Sequence, residues 1–289
     1  MLFRRLVGAS HPIPSVAVTA LATAVAAAAG RSAPGCLLVA ATVLTGQLSI
    51  GWLNDLLDRP RDIAAGRSDK PLAADTAAAR QLARIVAVAC VTAVTLCVPL
   101  SLASGWRAGV AHLVAVAGGW VYDLGAKRTI LSFLPYAVSF GLLTAFLTLG
   151  LPGHPTPPVW LIVAGALLGV GAHFLNVVPD VAADLAAGVR GLPQRLGPRW
   201  ASVAGAALLS AAVVVVALGP GRPPVWALVG AVAAVVCAVA AGLLGALGTS
   251  TRPGAAGRPQ STSRLPFLLA VITAGLAVAL LVARAPNLG

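Results

Sequence analysis

The stretch Asn54-Asp55-Leu56-Leu57-Asp58-Arg59-Pro60-Arg61-Asp62 follows directly on an apolar run and sets the terms for the whole chain. Asn54, Asp58 and Asp62 are spaced i, i+4, i+8, so on a helix they stack along one face and drift slowly around it. A second stretch, Asn176-Val177-Val178-Pro179-Asp180-Val181-Ala182-Ala183-Asp184, repeats that spacing at the end of another apolar run. Five of the eight acidic residues lie in these two stretches, and none of the eight is Glu. Carboxylates are costly at a membrane boundary, and clustered ones ask for a counter-charge. Mg²⁺, which prefers hard oxygen ligands, is the natural one. Pro60 and Pro179 are expected to loosen each helix at its rim and let the side chains splay. A single Asp at a helix end reads as a solvated residue or a cap. Two clusters of matched spacing, in a chain so poor in carboxylates, read as the walls of one site.

The surroundings of these stretches are those of a membrane protein. Hydrophobic residues make up 58% of the chain and charged ones 10%, against about 25% charged in soluble domains; mean hydropathy is +0.92. Runs of about 20 apolar residues recur throughout, as bilayer-spanning helices need. The expected fold is all-α and polytopic, a single domain over residues 1–289. Its nine transmembrane helices fall near 13–30, 36–53, 82–103, 106–122, 131–151, 158–178, 200–219, 224–248 and 265–283. Arg4 and Arg5 before an Ala-rich run resemble a signal peptide, but the run fits the first member of this regular series. Neither a separate soluble domain nor an obligate protein partner is indicated. Cys36, Cys90, Cys97 and Cys237 lack metal-ligand spacing and read as small buried hydrophobes.

Sixteen basic residues fall in the N-terminus and the even-numbered connections, from Arg4 and Arg5 through Arg252, Arg258 and Arg264. Only Arg31, Arg107, Arg222 and Arg284 fall on the other side. This asymmetry places the N-terminus and both Asp stretches in the cytoplasm, and the C-terminus outside, in a multi-pass protein of the cell inner membrane. All eight Asp share the cytoplasmic side, Asp69, Asp75 and Asp123 among them. The net charge of +12 therefore reflects topology and phosphate binding rather than a nucleic-acid-binding face. The six Trp lie near span ends and read as an interfacial belt.

Cations cluster around the acidic stretches: Arg67 and Lys70 after the first, Lys127 and Arg128 after the fourth span, Arg190 and Arg195 after the second stretch. Carboxylates mixed with Arg and Lys imply a metal together with an anionic ligand, most simply a diphosphate bridged by Mg²⁺. Below the rim the helices offer mostly Ala, Val, Leu and Gly, so the remainder of that ligand is apolar. A lipid diphosphate satisfies both conditions.

These residues resemble the UbiA superfamily of intramembrane prenyltransferases, nine-helix proteins with Asp-rich motifs after helices two and six. Asn54, Asp55, Asp58 and Asp62 match the first motif in full, and Arg67 to Leu72 is similar to the basic stretch that follows it. The second motif has Asn176 where Asp is usual, with Asp180 and Asp184 in place. The stretch Gly188 to Pro193 is similar to its continuation. Tyr122 and Lys127 resemble the family's Tyr-to-Lys element, one residue further apart than usual. The resemblance implies a central cavity open near the cytoplasmic side. It implies Mg²⁺ held by Asn54, Asp58, Asp62, Asn176, Asp180 and Asp184, with Asp55 a lesser candidate. It also implies diphosphate held by Asn54, Arg67, Lys70, Tyr122, Lys127 and Arg190. Asp58 and Asp180 then stand at the centre of catalysis.

Other residues reach the reacting carbons on spacing alone. Gln47 lies two turns deeper than Asn54. His173 lies one turn deeper than Asn176, and as an ionisable group inside a span it is a catalytic candidate. Tyr136 and Phe140 read first as packing residues, with π faces suited to a cation. His11, His112 and His154 show no partner pattern.

The implied reaction is ionisation of an allylic prenyl diphosphate in a dry interior, followed by capture of the cation by an aromatic or other small acceptor. Membrane lipid is the surrounding partner. The alternative on the same scaffold is a terpene cyclase that needs no acceptor. A transporter is disfavoured, because its charges should line a midplane route rather than gather at one rim.

Overall fold

The structure, a computed structural model, describes residues 2–67, 70–247 and 265–284. Asp69, Arg252, Arg258 and Arg264 lie outside the described residues. Within them every regular element is helical: α1 (Leu2–Gly8), α2 (Pro12–Ala28), α3 (Ala33–Ala64), α4 (Ala77–Leu102), α5 (Trp106–Leu124), α6 (Leu134–Leu149), α7 (Val159–Val177), α8 (Val181–Ala186), α9 (Leu192–Leu218), α10 (Val225–Leu247) and α11 (Leu265–Ala283). Two short 3₁₀ turns, Ala126–Arg128 and Val178–Asp180, join α5 to α6 and α7 to α8. Among the described residues nine helices have sixteen residues or more, each overlapping one expected span. Six pass as membrane spans by length and hydropathy, or seven if α1 and α2, bent by 67°, count as one.

Helix starts follow local chemistry. The Ser32 hydroxyl accepts from the Gly35 amide at 3.3 Å ahead of α3, and Thr76 accepts from Ala79 at 3.1 Å ahead of α4, each satisfying an otherwise orphaned N–H. The expectation for Pro60 is corrected: α3 runs through it to Ala64, carrying the whole first motif. A proline inside a helix removes one hydrogen bond, and here the following turn closes normally, with Ala65 N bonded to Arg61 O at 2.9 Å. Pro179 behaves as expected, sitting in the 3₁₀ turn that separates α7 from α8.

Contacts divide the chain into two units: residues 1–125 with 142–156, and residues 126–141 with 157–289. In the first, α3 is the central helix, packed by α2, α4 and α5. Trp52, Leu82, Val86 and Cys90 form a core there with Ala9 and Leu72. In the second, α9 is central, packed by α7, α10 and α11. Gly171 of α7 and Gly205 of α9 meet back to back. A Cβ on either would lie 3.0 or 3.1 Å from the other's carbonyl oxygen, the close backbone approach that small residues permit between membrane helices. Helix α9 kinks at Gly197 (φ 77°, ψ 164°), just before Pro198.

Helix α10 reverses the pattern of a soluble helix. Ala227, Ala231, Ala234, Ala238 and Ala241 are buried, while Val225, Val229, Val232 and Val236 are exposed. Large apolar side chains pointing outward along a helical stripe suit lipid, and small ones pointing inward suit close packing. Arg284, beyond α11, is buried and donates to the carbonyls of Ala217, Gly221 and Arg222, tying the end of α11 to the α9–α10 connection.

The Trp expectation holds in part. Trp106, Trp200 and Trp226 are exposed, but Trp52 is buried and its indole donates to Leu6 O at 3.0 Å. Trp52 fastens α1 to α3 rather than anchoring to an interface.

Candidate active site

The first motif lies on the last three turns of α3. Asp55, Asp58 and Asp62 are 2%, 5% and 3% exposed, so the i, i+4 face that carries Asp58 and Asp62 is directed into protein. Arg61 Nη2 lies 2.9 Å from Asp58 Oδ2, and its Nε lies 3.9 Å from Asp62 Oδ1. One guanidinium thus faces both carboxylates from the same helix.

Asp55 has different company. Its Oδ1 accepts from Lys70 Nζ at 2.8 Å and sits 3.0 Å from His11 Nε2. The same imidazole nitrogen is 3.2 Å from Asn54 Nδ2 and 3.4 Å from Lys70 Nζ. The Asn54 amide nitrogen is thus directed at His11. The four side chains come from three separate segments, and His11 stands at their junction. The Ser10–His11 turn reaches this position because Gly51 has no side chain; a Cβ there would overlap the Ser10 carbonyl.

In the second unit, the motif after α7 is more open. Asn176 and Asp180 are exposed and Asp184 is half-buried. Gln194 at the start of α9 is buried and donates from Nε2 to Asp184 Oδ2 at 2.9 Å. Lys127 is also buried, in the 3₁₀ turn after α5. Gly191 lets these parts close together: a Cβ would lie 2.6 Å from Gln194 Oε1, 2.7 Å from Ser132 Oγ and 2.9 Å from Lys127 O. Ser132 Oγ accepts from Leu192 N at 2.9 Å. The Lys127 turn and the segment after the second motif are therefore one local structure. Arg190 is exposed beside it.

His173 is buried and stacked on Tyr136, with ring centroids 4.1 Å apart and planes at 15°. Tyr136 stacks in turn near Phe140, at 6.3 Å. Phe140 occupies space left by Gly169, where a Cβ would lie 2.6 Å from its ring. The three candidates from the two helices form a continuous aromatic row. Arg67 and Tyr122 are half-buried in the first unit, as is Gln47 on α3.

A family model described as the UbiA prenyltransferase family matches residues 16–250. The chain belongs to the UbiA prenyltransferase family. It is therefore a prenyltransferase-type, multi-pass membrane enzyme. Comparison with curated proteins gives no match. Among solved structures, a UbiA homologue from Archaeoglobus fulgidus bound to GPP and Mg²⁺ is 18% identical with a TM-score of 0.69, over 98% of this chain and 99% of that one. The apo UbiA homologue from Aeropyrum pernix K1 is 16% identical with a TM-score of 0.68, over 92% and 97%. A structure of digeranylgeranylglyceryl phosphate synthase is 17% identical with a TM-score of 0.64, over 98% of each chain. At these identities the likeness is one of fold.

The UbiA-family motif residues fit Mg²⁺ by the chemistry of their donors. Among the described residues no three His, Cys or Asp side chains form a metal cage by themselves. Mg²⁺ is ordinarily bound through one or two carboxylates plus substrate phosphates, and the buried Asp58 and Asp62 are two hard-oxygen groups of that kind. Sequence reasoning missed three residues here. Arg61 is hidden as one basic residue among many. Gln194 is a neutral amide ten positions after Asp184. His11 is remote in sequence from everything it touches. Of the other unassigned histidines, His112 Nδ1 meets Ser101 Oγ at 2.9 Å, and His154 Nδ1 meets Leu149 O at 2.9 Å at the end of α6. Both are local structural pairings.

Proposed function

We propose that this UbiA-family protein is a Mg²⁺-dependent prenyltransferase that ionises an allylic prenyl diphosphate and passes the prenyl group to a small acceptor. The observation that carries the reading is the burial of Asp58 and Asp62 one turn apart on α3, with Lys70 and Asn54 beside them. Buried carboxylates next to a Lys are poor stabilisers and good receptors for a metal–phosphate pair. The GPP and Mg²⁺ bound by the Archaeoglobus homologue support the same assignment.

Asn54, Asp58 and Asp62 from the first motif, and Asn176, Asp180 and Asp184 from the second, would hold Mg²⁺. Mg²⁺ held there would neutralise charge developing on the leaving oxygen. Lys70, Arg67, Tyr122, Lys127 and Arg190 hold phosphate oxygens. The carbon–oxygen bond breaks with its electron pair leaving on the diphosphate. His173, Tyr136 and Phe140 present ring faces to the cation that remains, while apolar helix walls exclude water. The acceptor forms the new bond and loses a proton. Both motifs are assigned to the cytoplasmic side of the membrane, and the chain to a single catalytic domain.

The test uses purified protein, Mg²⁺ and geranyl, farnesyl or geranylgeranyl diphosphate, with products read by mass spectrometry. Prenylated acceptor, formed only when an acceptor is supplied, is the expected result. Hydrocarbon or terpene alcohol from the diphosphate alone would reassign the protein as a cyclase. Asp58→Ala and Asp180→Ala should each abolish turnover in protein that remains folded in detergent; substantial activity in either rejects the site.

A further inference from the structure

His11 stands in a backbone conformation that its neighbours in sequence oppose. Its φ of 51° and ψ of 63° are left-handed, a region that L-residues other than Gly, Asn and Asp rarely adopt. The residue before a proline also favours extended geometry, and Pro12 follows. Strain of this kind persists only where surrounding contacts over-determine it. Those contacts are present. Ser15 Oγ donates to the Ser10 and His11 carbonyls at 3.0 and 3.1 Å, and Ser10 Oγ donates to Val7 O at 2.8 Å. Trp52 holds Leu6 at 3.0 Å, and the bare Gly51 admits the Ser10 carbonyl against α3.

The product of all this is the placement of one imidazole nitrogen. Nε2 lies within 3.4 Å of an acceptor, Asp55, and of two donors, Asn54 and Lys70. Whichever tautomer is present, one class of partner is satisfied. Lys70 sits on a flexible four-carbon stem, and its ammonium is held here by hydrogen bonds to Asp55 and His11.

We propose that His11 is a positioning residue for the diphosphate site: it locks Asn54, Asp55 and Lys70 into one arrangement, so that Lys70 meets the diphosphate already aligned. The inference rests on the reading of this motif as a diphosphate site. Fixing the cation before binding removes an ordering cost that each ligand would otherwise meet. Asp55 is, on this view, the seat of Lys70 rather than a metal ligand.

The experiment measures binding of inorganic pyrophosphate with Mg²⁺ to the full chain in detergent by calorimetry, alongside KM and kcat for a prenyl diphosphate. His11→Gly keeps the left-handed backbone without strain and deletes the ring. Its pyrophosphate Kd and its KM should rise about tenfold, with kcat changed less than about threefold, in the 10–100-fold range that outer supports of a site command. In a Lys70→Met background, adding His11→Gly should produce a much smaller further loss, less than about threefold, because only the hold on Asn54 remains to be lost. Unchanged affinity in His11→Gly, or a full additional loss in the Lys70→Met background, overturns the proposal. Should His11→Gly fail to fold, Asp55→Asn takes its place, with the same rise in Kd expected and unchanged affinity again decisive against. Wild-type protein that neither binds Mg²⁺-pyrophosphate nor releases pyrophosphate from a prenyl diphosphate rejects the functional reading itself.

Discussion

Gln194 Nε2 donates to Asp184 Oδ2 across 2.9 Å, joining a buried amide at the head of α9 to the last carboxylate of the second motif. That bond ties Asp184 Oδ2 to the start of α9 and so orients the carboxylate. Gln194→Leu should keep the fold and lower kcat/KM by about 10- to 100-fold, the usual effect of removing a group that orients a metal ligand. Steady-state kinetics over a Mg²⁺ titration is the check: the loss should shrink as Mg²⁺ rises. Kinetics equal to wild type would mean that Asp184 needs no support.

Arg61 lies between two buried carboxylates that a metal would otherwise neutralise. Removing it takes away one of the counter-charges on Asp58 and Asp62, with Lys70 and Arg67 still acting on Asp62, and weakening the balance at a buried carboxylate pair is destabilising. Arg61→Met should therefore melt lower than wild type in EDTA and recover on adding Mg²⁺. Saturation to 100 times Kd contributes about 2.7 kcal/mol to a protein that binds only when folded. Thermal melts with and without Mg²⁺ decide it; a variant indifferent to Mg²⁺ argues against metal at this pair.

Gly51→Ala should displace the Ser10–His11 turn, because the added methyl overlaps the Ser10 carbonyl. Overpacking against backbone costs about 1–3 kcal/mol. A lowered melting temperature, with weakened pyrophosphate binding, is the expected outcome. An unchanged melt would show that the N-terminal segment is not docked on α3.

Tyr136 supports the ring of His173 at 4.1 Å. If this row faces the prenyl cation, Tyr136→Leu removes about 0.5–2 kcal/mol of cation–π attraction, or roughly 2- to 30-fold in rate. More of the product should then be the water-quenched terpene alcohol. Product ratios by gas chromatography would show it, and an unchanged ratio removes Tyr136 from the reaction.

The helices and the continuous helical face of the first motif were legible because their signals are local. Apolar length announces a span, and i, i+4 spacing announces a face. Asp58 and Asp62 accordingly share a buried face of α3. What could not be read depends on distant chain segments meeting. His11 touches residues 43, 44 and 59 positions away, through a turn that periodicity does not encode. Trp52 sits where a belt residue would sit, and only the docking of α1 makes it internal. Pro60 looks like a break, yet one lost hydrogen bond does not end a helix whose neighbouring turns are intact.

The alanine seam along α10 has a bearing on how such an enzyme changes its preferences. Where helices touch through methyl groups and bare backbone, there is little volume to carve away, and truncating a side chain opens almost no room. New shape has to come from enlargement, one residue at a time, at the cost of prising two helices apart. Libraries aimed at altered prenyl length should accordingly be richest in winners where large side chains such as Phe140 and Tyr136 can be truncated, and poorest along the seam.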